Sequence, residues 1–258
     1  METFEKVQFN NCAFFFGIKY ANLLKYFNVV KRLLLIFLVL SLVNCSKDKD
    51  DTTAPPDTRV LKILALGDSY TKGESVCSTC NFPTQLRDSI NARRGNGLSE
   101  VQIIAQTGWT TPQLKNAINQ TNPPNTFDLV TLLIGVNNQY QNMPFSFYEN
   151  DFPELVQKAI EKAGGNRNKV VVLSIPDYAF TPFGNGNTSI SAALQTYNQF
   201  ASDYCASQQI SFVYITDITQ LGLQQPALVA QDGLHPSTLA YTRFVERLLP
   251  VVMPKLGL

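Results

Sequence analysis

The chain of 258 residues contains one histidine, His235. A reaction that needs an imidazole must use it, and a metal site built on two or more histidines is excluded. Asp232 lies three residues earlier, in Asp232-Gly233-Leu234-His235-Pro236, so one turn can bring its carboxylate to the imidazole Nδ1. That contact would fix the tautomer and stabilise an imidazolium. A hydroxyl with the right surroundings is Ser69, in Leu66-Gly67-Asp68-Ser69-Tyr70, where Gly67 allows a tight turn. Acyl transfer needs a nucleophile, a base and donors for an oxyanion. The donors would be the backbone N–H of Ser69, the N–H of Gly108 and the side-chain amide of Asn137.

The elements that must position these groups follow from the apolar pattern. Near-continuous runs at Val60–Leu66, Val101–Gln106, Leu129–Ile134, Val170–Ile175 and Ile210–Ile215 have the length and β-branched content of buried strands. Helical patterns fill the gaps. Phe152, Leu155, Val156, Ala159, Ile160 and Ala163 share one face, and Gly164-Gly165 can stop that helix. Ile190 to Cys205 forms a second. A last helix, with Ser237 as its cap, carries Phe244, Val245, Leu248, Leu249 and Val252, and Pro250 is expected to bend or shorten it. Five strand-then-helix units predict an α/β doubly wound fold of flavodoxin-like order, a three-layer sandwich around a five-stranded parallel sheet. In such sheets ligands bind beyond the carboxyl ends of the strands. Gly67-Asp68-Ser69, Thr107-Gly108-Trp109, Gly135-Val136-Asn137-Asn138 and Pro176-Asp177-Tyr178 all sit there.

Each of these short motifs alone is also an ordinary turn. Their joint occurrence, in order and at strand ends, carries the catalytic reading. Asp68 neighbours Ser69, but consecutive residues point apart, so it is read as a structural hydrogen-bonding group and Asp177 as a turn residue. The set resembles the GDSL, or SGNH, hydrolase family from about Val60 to Pro250. Gly67-Asp68-Ser69 matches the first family block, with Tyr70 where Leu is common. Gly108 matches the second block. Gly135-Val136-Asn137 matches the third, with Asn138 where Asp is typical, and Asp232 to Pro236 match the last. The resemblance implies an esterase or lipase with Ser69 as nucleophile, His235 as base, Asp232 as orienting acid and Gly108 and Asn137 as oxyanion donors. It implies no metal or organic cofactor. Trp109, Tyr140, Tyr178, Phe180 and Phe183 are candidates to line a substrate pocket.

The N-terminal part reads as an address. Lys31-Arg32 precedes the apolar run Leu33 to Val43, which fits a secretory signal and is short for a membrane span. Leu42-Val43-Asn44-Cys45 resembles a bacterial lipoprotein box, with Asn44 where a smaller residue is usual. Residues 1–44 are therefore expected to be a targeting segment, with translation starting at Met1 or further downstream. Residues 45–58 are expected to be a tether behind a lipidated Cys45, and 59–258 the folded domain. The expected location is the outer membrane or cell surface, with the periplasmic face as the alternative. Formal net charge is +1, and no basic block suggests a nucleic-acid partner. Cys77 and Cys80 form either a local disulfide or a pair of free thiols, and Cys205 packs in the core. The expected partner is a small-molecule or glycan-linked ester. A non-catalytic module binding glycans or another extracellular ligand is the competing class. A phosphate-binding flavodoxin-like domain lacks its glycine-rich loop.

Overall fold

The computed structural model describes residues 58–95 and 97–258. The expected targeting segment, Cys45 and nearly all of the tether lie outside them. The described elements are β1 (Leu61–Gly67), α1 (Ser69–Lys72), α2 (Phe82–Arg94), β2 (Ser99–Ala105), α3 (Thr111–Thr121), β3 (Leu129–Leu133), α4 (Val136–Tyr140), α5 (Phe145–Lys162), β4 (Val170–Leu173), α6 (Thr188–Ser207), β5 (Ser211–Val213), α7 (Thr216–Thr219) and α8 (Thr238–Lys255). The five strands form one sheet in the order β2-β1-β3-β4-β5, every pair parallel. This is the doubly wound α/β arrangement expected from the apolar runs. Helices α2 and α8 pack together, and α5 packs with both α3 and α6.

Burial explains the strand composition. Every residue of β3 and β4 is buried, whereas the edge strand β2 is largely half-buried. β4 and β5 stop two residues short of their apolar runs for a local reason. The N–H of Ile175 is taken by Asn198 Oδ1 at 2.7 Å, and those of Ile215 and Thr216 by Ser174 Oγ at 2.7 and 3.1 Å. Side chains capture the donors that would have extended β4 and β5. Helix α5 stops where expected, with Gly164 and Gly165 at φ 69° and 80°. Ser237 caps α8 by accepting from the Ala240 N–H. That helix runs through Pro250 instead of ending there. Its buried face of Tyr241, Phe244, Val245, Leu248 and Val252 holds it against the core despite the lost backbone bond. An aromatic cluster joins α5 to α6, with the Phe145 and Tyr197 rings 4.8 Å apart and those of Tyr148 and Tyr197 4.7 Å apart.

Asn138 ties the turn after β3 to the start of α3. Its Oδ1 accepts the Thr111 N–H at 3.0 Å, and its Nδ2 donates to Thr111 Oγ1 at 2.8 Å. Thr111 Oγ1 in turn donates to Asp151 Oδ2, and Lys115 holds the other Asp151 oxygen. All three of Asn138, Thr111 and Asp151 are buried. An amide is therefore the fitting side chain here, because Thr111 needs a donor that an ionised carboxylate lacks. Asn138→Asp should lower stability by about 1–3 kcal/mol, the cost of leaving buried groups unpaired. Urea denaturation at pH 7.5 measures it, and an unchanged midpoint would refute the assignment.

Candidate active site

Strand β1 runs between β2 and β3, and all three end in step, with Gly67 level with Ala105 and with Leu133. The chain leaves β1 for β2 on one side and later builds β3, β4 and β5 on the other. The crevice beyond Gly67 is therefore the switch point where doubly wound sheets bind ligands. There is no room for a side chain at Gly67, since a Cβ would sit 2.4 Å from the Leu133 carbonyl oxygen and 2.1 Å from Thr71 Oγ1.

Asp68 follows and caps α1, its Oδ1 accepting the Tyr70 N–H at 3.0 Å. It is fully buried, and its other oxygen has no partner among the described residues. Burial pushes its pKa up to about 7, against the lowering effect of nearby backbone N–H groups. Ser69 is the first residue of α1 and is 4% exposed. It lines a cavity of about 180 Å³ together with Thr107, Gly108, Val136, Asn137, Tyr178 and His235.

His235 is presented by a turn that Asp232 organises. Asp232 Oδ1 accepts the backbone N–H groups of Leu234 and His235, both at 3.0 Å. Its Oδ2 lies 2.5 Å from His235 Nδ1 and accepts from Ser75 Oγ at 2.6 Å. Partial burial opposes the charge, but these four contacts outweigh it and hold the carboxyl far below its ordinary value. Gly233 takes φ 71° to close the turn, and Val229 and Pro236 bridge its base. The Tyr70 ring meets the imidazole edge-on, with centroids 5.8 Å apart. Among the described residues no hydrogen bond joins Ser69 Oγ to His235. Such contacts are often long in ligand-free enzymes and tighten when substrate is bound.

The donors converge on the same cavity. The N–H groups of Ser69 and Gly108 have no acceptor among the described residues. Gly108 adopts φ 85°, and a Cβ there would point into open space, so glycine leaves that approach clear. Asn137 Nδ2 donates one hydrogen to the Trp109 carbonyl at 3.0 Å, which fixes the amide and leaves its second hydrogen free.

A sequence model of the GDSL-like lipase/acylhydrolase family matches residues 65–243. The chain belongs to this family. It is accordingly a hydrolase of ester bonds. Comparison with curated proteins found no match. Among solved structures, a lipolytic G-D-S-L family protein from Veillonella parvula DSM 2008 is 18% identical with TM-score 0.57, covering 74% of this chain and 98% of that one. A lipase/acylhydrolase from Enterococcus faecalis is 19% identical with TM-score 0.58, covering 76% and 96%. An acetylxylan esterase from Geobacillus stearothermophilus is 17% identical with TM-score 0.55, covering 77% and 96%. At these identities the likeness is one of fold.

Of the aromatic candidates, Tyr140 and Tyr178 line the cavity beside Ser69, whereas Trp109 and Phe180 do not. Trp109 packs against the core and contributes only its carbonyl. Phe183 lies beside Tyr140 and Tyr178, with ring centroids 6.1 and 6.3 Å away. Asp177 caps the Tyr178–Phe180 turn and accepts from Ser191 and Gln220, outside this cavity. A larger cavity of about 350 Å³, lined by Asp177, Ser191 and Gln220 among others, includes none of Ser69, Gly108, Asn137, Asp232 and His235. Cys77 and Cys80 form a disulfide, and burial pushes the Cys205 thiol up to about 12. Among the described residues no cluster of three or more His, Cys, Asp and Glu could hold a metal. Ser75 was not anticipated: it stands in no motif, and only the packing of a distant loop brings it to Asp232. Thr107, Val136 and Leu234 stand inside the motifs, but which of their side chains would line the cavity was not legible there.

Asp68 makes stability depend on pH in a defined window. The unfolded chain ionises it near pH 4, while the folded chain holds the proton to about pH 7. Raising pH through that interval favours the unfolded state, by up to ~4 kcal/mol for a shift of this size. Asp68→Asn should abolish that loss. Urea titrations of both proteins between pH 4 and 8 measure the difference in slope, and parallel curves would exclude a proton on Asp68.

Proposed function

We propose that the protein is a serine esterase acting through an acyl-enzyme, with Ser69 as nucleophile, His235 as general base and Asp232 as the orienting acid. The observation that carries this is the 2.5 Å contact of Asp232 with His235 Nδ1, which leaves Nε2 as the free ring nitrogen of a residue that lines the same cavity as Ser69. His235 Nε2 takes the Ser69 proton as Oγ adds to the ester carbonyl. The oxyanion rests on the N–H groups of Ser69 and Gly108 and the free amide hydrogen of Asn137. As the tetrahedral centre collapses, the C–O bond to the alcohol breaks and the alcohol leaves with the proton from His235. Water, deprotonated by His235, then adds to the acyl-enzyme. The acid departs and Ser69 Oγ recovers its proton. No step calls for a metal or organic cofactor.

The cavity favours a small acyl group. It is about 180 Å³, and Val136, Tyr140, Tyr178 and Leu234 give it apolar walls. Exposed Tyr140 and Phe183 rings beside it offer flat surfaces on which a sugar or other cyclic alcohol portion can stack. An acetylated glycan suits both features, and one fold relative is an acetylxylan esterase. We also propose that the chain is exported and held on a membrane through lipidated Cys45. The apolar run before Cys45 supports this, as does the Cys77–Cys80 disulfide, a bond typical of oxidising compartments.

Ser69→Ala should lower kcat on p-nitrophenyl acetate by at least about a thousand-fold, with its fold and Tm retained. A fluorophosphonate probe should label the wild type and neither Ser69→Ala nor His235→Ala. Near-wild-type turnover in Ser69→Ala would end this mechanism. A well-folded wild type inert to the probe would favour the non-catalytic binding module.

A further inference from the structure

The Asp232 oxygen that meets His235 Nδ1 is also held from a distant part of the chain. Three of the four contacts to this carboxylate come from its own turn, from the N–H groups of Leu234 and His235 and from the imidazole. The fourth is the Ser75 hydroxyl, which donates to Oδ2 at 2.6 Å. Ser75 adopts φ 64°, a left-handed conformation uncommon for a residue with a side chain. The loop holds it there. The Ser69 carbonyl accepts the N–H groups of Gly73 and Glu74 at 2.9 and 3.0 Å, so the residue bearing the nucleophile also anchors this loop. Asn81 Nδ2 donates to the carbonyls of Lys72 and Ser78 across its base. The Cys77–Cys80 disulfide and the bond from Gln85 to the Cys80 carbonyl close its far side.

We propose that Ser75 is a positioning residue for ester hydrolysis, presented by the disulfide-closed loop so that its hydroxyl fixes the Asp232 carboxylate and, through it, the orientation and basicity of His235. The inference rests on the roles proposed above for Ser69, His235 and Asp232. The loop thereby links the two halves of the site, since one end is bonded to the Ser69 backbone and its middle to the acid.

The other titratable groups around the pair are Tyr70 on α1, Glu74 on the same loop and Tyr241 on α8. Burial raises both tyrosines well above their ordinary value, so they stay neutral. Glu74 is bonded to Thr107 and Lys72, which lowers it and keeps it anionic. None of the three changes charge between pH 5 and 8. Asp68, beside Ser69, does so near pH 7, but it is bonded to Tyr70 and not to Ser75 or Asp232, so a difference in the acid limb between the wild type and the Ser75 variants reports on the His235–Asp232 pair.

The test uses Ser75→Ala and Ser75→Gly in the whole chain. Glycine suits the positive φ, so that variant removes the hydroxyl without straining the loop. Both should lower kcat on p-nitrophenyl acetate about ten-fold, as expected for one partly exposed hydrogen bond to a charged group, with KM little changed. The acid limb of kcat/KM should move to higher pH, because a carboxylate with one donor fewer holds the imidazolium more firmly. Wild-type kcat and acid limb in both variants would overturn the proposal. A fall in kcat with an unmoved acid limb would also overturn it, since loss of structure alone predicts that. Ser69→Ala is assayed alongside. If it remains active, the underlying mechanism fails. If it is inactive while both Ser75 variants behave as wild type, only the positioning role fails.

Discussion

Parallel pairing of β1 with β2 on one side and β3 on the other places the ends of three strands at one level. Gly67, Ala105 and Leu133 share that level, and the chain segments that follow them carry Ser69, Gly108 and Asn137. A shift of one residue in either pairing would carry these segments about 3.3 Å along the strand and turn their side chains to the opposite face. The register is secured by burial. β3 is buried at every position and β1 at all but Lys62, so a slipped sheet would expose leucines and valines to water. Ser69, Gly108 and Asn137 are thus held by the hydrophobic core, although none of them belongs to it.

Much of this was legible because it rests on periodicity. Continuous Val, Ile and Leu runs can satisfy only a sheet covered on both faces, and their alternation with helical stripes leaves a doubly wound order as the simple solution. What escaped was the last residue or two of β4 and β5, and the persistence of α8 through Pro250. In the strands, Asn198 and Ser174 reach across from elsewhere in the chain and take backbone donors. In the helix, a fully buried face compensates for a missing hydrogen bond. Tertiary contacts overrode local preference in both cases, and no window of sequence contains them.

The candidate site divides in the same way. Ser69, Gly108, Asn137 and His235 stand in short motifs at strand ends or on a tight turn, and the structure brings all four to one cavity. Tyr178 joins them there, but Trp109 and Phe180 do not, because proximity to a strand end says nothing about which way a ring points. Trp109 shows how a residue can matter without its side chain, since its carbonyl orients Asn137. The value of Asn138 was equally hidden. The family block has a carboxylate there, and only the position of Thr111 shows why an amide satisfies this chain.

Two aspartates flank this chemistry, and their surroundings push them in opposite directions. Asp68 lies beside Ser69 in sequence, yet it is buried with one oxygen unpartnered, and its protonated form persists to about pH 7. Such a group supports a turn but is a poor partner for an imidazolium. Asp232 is distant from Ser69 in sequence and only partly buried, yet four donors saturate its carboxylate and keep it charged. The orienting acid must be anionic whenever the histidine accepts a proton, because the charge pair forms at that moment. Adjacency would have selected Asp68. Solvation and hydrogen bonding favour Asp232 for the proposed role, through a turn closed by Gly233 and a hydroxyl delivered by a loop that starts at Ser69.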